Sequence, residues 1–565
     1  MTPSWQERFR RTISDPSHLA LALPLLIGAL VGSTIVAFLA CTDWMHALLF
    51  SKAMPVWMRP LIPAVAALVA GYLLLRAFPD ARGSGIPQTK AALIAGGGHI
   101  SLKTVLGKFF CCSLSLGGGV ALGREGPSVQ IGAGVASFLA RKAGLEKREV
   151  QALVPIGAAA ALATAFNTPM AAVLFTLEEL LGDLNARLLG SVVIGAATSW
   201  MVLHLFLGDA PLFRVPPYSL VHPSEFLFYA LLGIAGGGVS ALFSSSLLWL
   251  RLKYRRLPKW TLAFQPATGG LAAGVLALYS ADVLGAGYAA VELALHGQLS
   301  GTAMFLLLIL KLAATVVCYS SGNAGGIFGP SLFLGAMLGG GFGSLLHAWL
   351  PATTAPTGAY ALVGMGTTFA GVIRSPITSV VMIFELTRDY NIIVPLMISN
   401  LVAYVVARSF SHTPIYEALA IQDGVHLPHA KGQSPEPDLL VGDAMRSPAV
   451  LLSPGTTIAV ARQLVPEGDC LVGESGTLLG IVLGSDLDEA LRKGSGGAAV
   501  ASVVRREVLT KLPHLHPDQP ANIVLHRLGQ FNLNVLPVVD RRDITQVLGE
   551  VTLEDLLDAY RNVSA

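Results

Sequence analysis

Charged residues are scarce in this chain, and their scarcity excludes a protein that is soluble throughout. Asp, Glu, Lys and Arg make up 13% of the 565 residues, and hydrophobic residues make up 53%. Ordinary soluble domains contain about 25% charged residues. Apolar runs such as residues 19–40 reach the roughly 20 residues that a helix needs to cross a bilayer. Because similar runs recur until about Arg408, the composition predicts an integral membrane protein with many crossings.

The chain also lacks cysteines in a recognisable spacing and lacks a strong excess of positive charge. Each absence excludes a class of protein. The five cysteines lie in no spacing typical of a metal site or a disulfide framework. The formal net charge is +3, so no nucleic-acid partner is expected, and the basic run at 251–256 is interpreted as a cytoplasmic loop. No phosphate-binding loop or nucleophile triad motif occurs, which predicts that the protein is not an enzyme and that it holds no metal.

Charge returns in the last quarter of the chain, and this change predicts a second domain. Residues 438–565 contain 27 charged residues among 128, whereas the first 437 residues contain 46. Residues 424–437 are rich in Pro, Gly and polar residues, as is typical of a linker. We therefore predict a membrane domain at 1–423, a linker at 424–437 and a soluble domain at 438–565.

The membrane part contains an internal repeat. "GREGPSVQIGA" resembles "GIFGPSLFLGA" with a displacement of 203 residues, and "NTPMAAVLFTLEEL" resembles "RSPITSVVMIFELT" with a displacement of 207. "GSGIP" has a weaker echo in "GAGYA", 202 residues later. Three matches in the same order predict two related halves at roughly 20–205 and 225–421. Transporters with such halves commonly bind their substrate between them.

Glycines and prolines break the apolar runs into pieces of about 10 to 18 residues, too short to cross alone. "GSGIP", "GREGP" and "GIFGP" each place a proline in the first turn of a predicted helix, where its missing N–H costs nothing. Such helix starts present unpaired N–H groups and the positive end of the helix dipole. Several starts aimed at one point bind an anion, whereas a cation site requires carbonyls and carboxylates.

These three motifs resemble the signature of the CLC family of chloride channels and chloride/proton antiporters, and the match runs through essentially the whole membrane domain. The resemblance implies an all-α inverted repeat of about 18 broken and tilted helices. It also implies a homodimer with one pore in each subunit, transporting chloride and protons. We expect the inner membrane of a bacterium, and the arginines before the first apolar run predict a cytoplasmic N-terminus.

The resemblance also implies the chloride ligands. Ser84 and Tyr416 are similar to the residues whose hydroxyls face the central ion, and Ser84 favours chloride over nitrate. From the residues alone, Ser84 is equally a helix cap and Tyr416 more often a core aromatic. Fluoride-selective relatives lack this pair. The chloride-binding residues implied are Ser84, Gly123, Arg124, Glu125, Gly126, Ile327, Phe328 and Tyr416.

Glu125 is the candidate gate. A buried carboxylate in a membrane costs several kcal/mol unless compensated, so it is a functional candidate by default. In its ionised form Glu125 imitates the anion at the helix starts, and a proton releases it. The alternative is a first-turn glutamate that stabilises the helix dipole.

A second carboxylate distinguishes an antiporter from a channel. Glu178 and Glu385 each lie nine residues after a repeated proline, so they are repeat partners and are interpreted as structural. Glu179 stands opposite Leu386 and resembles the internal proton-transfer glutamate of antiporters. Lys90 departs from an acidic residue found in some bacterial relatives. We therefore expect chloride/proton antiport through Glu125 and Glu179.

Two alternatives to antiport stay open at this point. The first is a passive chloride channel of the same family, gated by voltage or pH through the same glutamate. The second is a divalent-cation transporter with regulatory modules, which would require several carboxylates within the membrane around a hydrated cation.

The soluble domain resembles a pair of CBS modules, each α/β, at about 438–495 and 500–563. "NVLPVVD" and "GEVTLED" carry the resemblance. Thr552 and Asp555 match the positions that hold a ribose in adenine-nucleotide-binding pairs, whereas the first module has Leu483 at the threonine position. An adenine nucleotide is therefore a candidate ligand, and a structural pair that stabilises a dimer is the alternative. The domain is expected to be cytoplasmic.

Overall fold

The computed structural model divides the chain into two compact units, Met1–Lys431 and Gly432–Ala565. Each unit is described by itself. The structure describes residues 16–564 except 51–57, 59, 95, 183–187, 209–211, 214, 217, 219, 388–389, 426–438, 448–450, 467, 505–512 and 532.

Met1–Lys431 is called the membrane unit, and Gly432–Ala565 is called the soluble unit. The first half of the membrane unit consists of helices. They are α1 (Pro16–Leu49), α2 (Leu61–Arg76), α3 (Ile86–Ile94), α4 (Leu102–Gly117), α5 (Glu125–Lys142), α6 (Lys147–Phe166), α7 (Pro169–Phe175) and α8 (Leu189–Leu207). A π-helical turn, Thr176–Leu181, continues α7.

The second half is also helical. Its elements are α9 (Glu225–Arg255), α10 (Gln265–Leu276), α11 (Tyr288–Leu295), α12 (Gly301–Ser320), α13 (Phe328–Trp349), α14 (Thr357–Ile373), α15 (Pro376–Thr387), α16 (Ile393–Phe410) and α17 (Ile415–Gln422). Among the described residues, seven helices are long and apolar enough to cross a membrane. The others are shorter, as the glycines and prolines predict. The predicted fold of broken apolar helices is confirmed.

Glycines let equivalent helix pairs pack in backbone contact in both halves. A Cβ added to Gly132 on α5 would lie 2.3 Å from the carbonyl oxygen of Gly157 on α6. A Cβ added to Gly335 on α13 would lie 2.1 Å from that of Gly364 on α14. These positions correspond at the displacements of the sequence repeat. Since lipid supplies no hydrophobic drive between helices, membrane proteins rely on such close small-residue packing.

Two glutamates join the halves reciprocally. The carboxylate of Glu178 accepts from the backbone N–H of Thr378 at 2.9 Å, at the start of α15. The carboxylate of Glu385, on α15, accepts from the N–H of Ala171 at 2.9 Å, at the start of α7. Each glutamate therefore supplies an acceptor to the helix start of the other half, where N–H groups have no partner within the helix. This arrangement accounts for both residues as structural.

The soluble unit contains two small sheets with helices. Strands β1 (Leu451–Leu452), β2 (Cys470–Glu474) and β3 (Thr477–Val482) form one sheet, β1 parallel and β3 antiparallel to β2. Strands β4 (Val535–Val539) and β5 (Val547–Thr552) pair antiparallel in the other. The helices are α18 (Val441–Ala444), α19 (Ile458–Leu464), α20 (Gly484–Arg492), α21 (Asn522–Phe531) and α22 (Leu553–Ser564). This architecture fits a CBS pair.

The segment around α18 packs against the second sheet rather than the first. Leu439 and Val441 share a buried cluster with Leu536 and Val551. The backbone N–H of Arg446 donates to the carbonyl of Glu550 at 2.8 Å. The sequence assigns this segment to the first module, so the module boundary in sequence does not coincide with the boundary of the packed cores.

Candidate anion-binding site

The loop that leads into α3 places Ser84 against the start of α5. Gly83 and Gly85 adopt φ values of +84° and +109°, which glycine reaches without strain. A Cβ added to Gly85 would lie 2.2 Å from the carbonyl oxygen of Gly126. The "GSGIP" and "GREGP" loops are therefore in direct backbone contact, and only glycine permits that approach.

A buried lysine holds this loop in place. The Nζ of Lys108, on α4, donates to the carbonyls of Ala81 at 2.8 Å and Gly83 at 2.7 Å. Its repeat equivalent Lys311, on α12, donates to the carbonyls of residues 283 and 285. Sequence reasoning missed both lysines. Their signal was available, because each is a cation within a predominantly apolar segment and they lie 203 residues apart.

We expect Lys108→Met to weaken both folding and chloride binding. The change leaves two buried carbonyls without a donor, which costs about 1–3 kcal/mol for each group, and it releases the loop that carries Ser84. Thermal unfolding and calorimetric chloride titration of the purified protein measure the two effects. The matched Lys311→Met protein should lose similar stability while keeping its chloride affinity. Normal chloride affinity in Lys108→Met would show that the loop is held by other contacts.

The starts of α5 and α13 meet through a symmetric pair of hydrogen bonds. The N–H of Gly123 donates to the carbonyl of Gly326, and the N–H of Gly326 donates to the carbonyl of Gly123, both at 2.7 Å. This bridge joins the two repeats at corresponding positions. The bridge uses the N–H of Gly123, and the assignment of Gly123 as a chloride ligand stays a prediction.

Glu125 lies in the first turn of α5 and is fully buried. One carboxylate oxygen accepts from the N–H of Gly329, on α13, at 3.1 Å. The other accepts from the hydroxyl of Tyr288, on α11. A Cβ added to Gly329 would lie 3.0 Å from the carboxylate, so this glycine makes room for it. The carboxylate of one repeat therefore occupies the helix start of the other, where an anion is stabilised.

Ser84 and Tyr416 bring two buried hydroxyls to the same region. Tyr416 lies in the first turn of α17, two residues after Pro414. Both side chains are 0% exposed, and α17, which carries Tyr416, packs against α3, which follows Ser84. Neither hydroxyl has a hydrogen-bond partner in the described part of the chain. A buried hydroxyl without a partner is costly, and two together are typical of a site that a ligand completes.

Ile327 and Phe328 form the start of α13. Ile327 is the residue before its first turn, so the N–H groups that follow have no acceptor within the helix. The ring of Phe328 packs against the rings of Phe166, Phe175 and Phe369, with centroids 4.9, 5.5 and 4.5 Å away. The aromatic cluster anchors this helix start.

Arg124 precedes Glu125, and its guanidinium contacts Tyr288 and Asp43. Its guanidinium lies 5.3 Å from the ring centroid of Tyr288 and 3.8 Å from the carboxylate of Asp43. The stacking is a cation–π arrangement. The positive charge therefore lies beside Tyr288, on the side that faces Asp43.

Glu179 is buried within the π-helical turn after α7. Its carboxylate accepts from the Nζ of Lys90 at 3.1 Å, and the two side chains are 8% and 18% exposed. Lys90 belongs to α3, the helix that follows Ser84. Lys90, which departs from the acidic residue of some bacterial relatives, is thus the ion-pair partner of Glu179. Within this π-helical turn the side chains of the two adjacent glutamates point in different directions. Glu178 reaches α15, and Glu179 reaches α3.

Two cavities lie next to the group of buried residues around Ser84 and Glu125. One of about 790 Å³ is lined by Gly83 and includes Arg82 and Arg251 on its wall. The other, of about 610 Å³, is lined by Arg124 and Tyr288. Residues adjacent to Ser84 therefore line one cavity, and residues adjacent to Glu125 line the other.

In the soluble unit, Thr552 and Asp555 bind each other. The N–H of Thr552 donates to the carboxylate of Asp555 at 3.0 Å, and the N–H of Asp555 donates to the hydroxyl oxygen of Thr552 at 3.2 Å. This reciprocal pattern is a capping box at the start of α22. Arg446 pairs with the same carboxylate at 2.6 Å, which raises the pKa of Arg446. A ribose at Asp555 would have to compete with Arg446.

Comparisons with known proteins agree with this geometry. The model of the voltage gated chloride channel family matches residues 65–408, and that of the CBS domain matches residues 500–562. The H(+)/Cl(−) exchange transporter ClcA of Salmonella paratyphi B is 32% identical over 432 residues, 73% of this chain and 91% of that protein.

Two solved structures resemble the chain. A slow cyanobacterial Cl−/H+ antiporter is 26% identical, with a TM-score of 0.65, over 72% of this chain and 97% of that chain. A eukaryotic CLC transporter, 21% identical, covers 95% of this chain and 97% of that chain with a TM-score of 0.63, and this shows a shared fold. The repeat, the joined helix starts and these matches lead to one conclusion: the chain belongs to the voltage gated chloride channel (CLC) family, and it is an integral membrane protein.

Proposed function

We propose that this protein exchanges chloride for protons across a membrane. The observation that carries the proposal is the carboxylate of Glu125 seated at the start of α13, with the unpartnered hydroxyls of Ser84 and Tyr416 nearby. The similar ClcA protein and the cyanobacterial structure are both described as antiporters of these two ions, which supports the same exchange here.

Glu125 would act as the gate. While ionised, it fills an anion position and receives hydrogen bonds from Gly329 and Tyr288. A proton on the carboxylate removes its charge, and hydrogen bonds to a neutral acceptor are weaker than bonds to an ion. The neutral side chain then leaves, and chloride takes its place against the helix-start N–H groups. Acid therefore opens the pathway, and base closes it.

Glu179 would carry the proton on a separate route. It is buried, and it pairs with Lys90, so it does not belong to the chloride ligands around Ser84. The lysine favours the ionised carboxylate, while burial opposes it. A titratable carboxylate at membrane depth is a candidate for proton relay, and Glu179 is the carboxylate that the repeat does not require.

Several further features belong to the same proposal. We place the protein in the inner membrane of a bacterium as a homodimer with a pore in each subunit, and we place the N-terminus and the CBS domain in the cytoplasm. An adenine nucleotide is the proposed ligand of Thr552 and Asp555. The divalent-cation alternative lacks support, because no three His, Cys, Asp or Glu side chains come together within the described ranges.

Paired flux measurements on the unmodified protein test the exchange. In proteoliposomes, an imposed chloride gradient should drive protons against their own gradient, and a proton gradient should drive chloride. A pH electrode and a chloride electrode follow both ions in one vessel. Chloride flux with no proton movement would establish the passive channel instead.

A further inference from the structure

Tyr288 occupies a position that no role in the repeat explains. It begins α11, directly after Gly287, whose φ is +76°. In the alignment of "GSGIP" with "GAGYA", it corresponds to Ile86, and Ala286 corresponds to Ser84. The second half therefore lacks the chloride-facing serine but has gained a phenol two residues later.

The phenol reaches the gate of the other half. Its hydroxyl donates to one carboxylate oxygen of Glu125, while the N–H of Gly329 donates to the other oxygen at 3.1 Å. The carboxylate is thus held at both oxygens, once by the backbone and once by a side chain. A Cβ on Gly329 would lie 3.1 Å from the Tyr288 oxygen, so the glycine accommodates both groups.

The ring of Tyr288 is itself fixed. The guanidinium of Arg124 stacks 5.3 Å from its centroid, and the ring of Phe213 meets it edge-on with a centroid distance of 5.5 Å. A phenol held by a cation on one side and an aromatic ring on another has little freedom to turn away. Its hydroxyl therefore remains directed at Glu125.

We propose that Tyr288 is a positioning residue that latches the ionised Glu125 carboxylate in the anion position and so prevents chloride from passing without a proton. The inference rests on the proposed function. Tyr288 keeps its own proton throughout. It distinguishes the two states of Glu125 because a phenol binds a carboxylate more strongly than it binds a neutral carboxylic acid.

Other charged groups near the latch are on neighbouring elements. Arg124 stacks on the ring, and Asp43 and His46 from α1 line the adjoining cavity together with Asp282. They are unchanged when the Tyr288 hydroxyl is removed, so an effect of that removal on the pH profile reports on the latch.

The test is Tyr288→Phe, which keeps the ring and its packing and removes only the hydroxyl. The latched state should weaken about tenfold, the difference between a hydrogen bond to an ionised and to a neutral acceptor. We expect acid activation of chloride flux in proteoliposomes to shift by about one pH unit toward higher pH. The number of protons moved per chloride should fall at neutral pH.

A double-mutant comparison separates the latch from a general packing role. In a Glu125→Gln background no carboxylate remains to be held, so Tyr288→Phe should then change chloride flux by less than about twofold. The matched control is Tyr360→Phe, which removes a buried hydroxyl donated to Glu225 at 3.1 Å. It should leave the pH profile and the ion ratio as in the unmodified protein.

The outcomes distinguish this inference from the function on which it rests. If Tyr288→Phe keeps the original pH profile and ion ratio while Glu125→Gln uncouples protons, the latch is overturned and the exchange stands. An equal effect of Tyr288→Phe with and without the Glu125 carboxylate also overturns the latch. If Glu125→Gln itself retains proton coupling, the proposed gate fails first.

Discussion

Glu125→Gln is expected to abolish proton movement while chloride continues to flow. Glutamine keeps the size of the side chain but has no charge to seat at the start of α13 and cannot take up a proton. Loss of a positioned acid–base group typically costs roughly 100-fold or more in rate, so proton flux should fall to background. Chloride flux should lose its dependence on pH, because acid no longer changes the gate. Simultaneous pH and chloride electrodes measure both effects.

Glu225 provides the control for this substitution. It is equally buried, and its carboxylate accepts from the N–H of Val221 at 2.9 Å and from the hydroxyl of Tyr360. Neither partner belongs to the helix starts of α5 and α13. Glu225→Gln should retain coupled flux. If the two variants behave alike, the loss of coupling would reflect removal of any buried carboxylate rather than removal of the gate.

Glu179→Gln should also stop proton transport, for a different reason. The glutamine still accepts a hydrogen bond from Lys90 but takes up no proton, so protons no longer reach Glu125 by that route. Chloride should continue to pass, since Ser84, Tyr416 and the helix starts are unchanged. In contrast to Glu125→Gln, chloride flux should still increase as the pH falls, because the gate remains titratable from its own cavity. Flux measured from pH 4 to 8, a range of roughly 4 units spanning ordinary carboxyl titration, distinguishes the two variants.

The neighbouring glutamate is the matched control. Glu178→Gln makes the same chemical change one residue away, where the carboxylate accepts from Thr378. It should lower the unfolding temperature, because a charged acceptor at a helix start is lost, and it should keep the ion ratio. Intact proton coupling in Glu179→Gln would remove Glu179 from the relay and leave the role of Lys90 unexplained.

Much of the site followed from local patterns. Glycine before a helix, proline in its first turn and an apolar surround are properties of a few adjacent residues, so the starts of α3, α5 and α13 were predictable. The repeat predicted that α5 and α13 correspond. The extra carboxylate, Glu179, was found because its counterpart is Leu386. In each of these cases the signal is a short pattern, found within one segment or by comparing two segments of the repeat.

Other contacts were not predictable, because they join segments far apart in sequence. Glu125 and Tyr288 are 163 residues apart, and Lys90 and Glu179 are 89 apart. Neither pair has a spacing that marks it. The N–H of Gly123 is a further example. Its motif predicts a free donor, and only the tertiary structure shows that this N–H donates to the carbonyl of Gly326.

The sequence by itself indicated that the first part of the chain lies in a membrane, that the chain has two parts, that the first part contains a repeat and that its helix starts favour an anion. These properties depend on composition and on the chemistry of helix starts, which act locally. The tertiary structure decided which donors hold which carboxylate. Packing of the two halves brought Tyr288 and Gly329 to Glu125, and the π-helical turn directed Glu178 to α15 and Glu179 to Lys90. Backbone geometry and close glycine contacts set those directions, and a one-dimensional pattern carries no information about them.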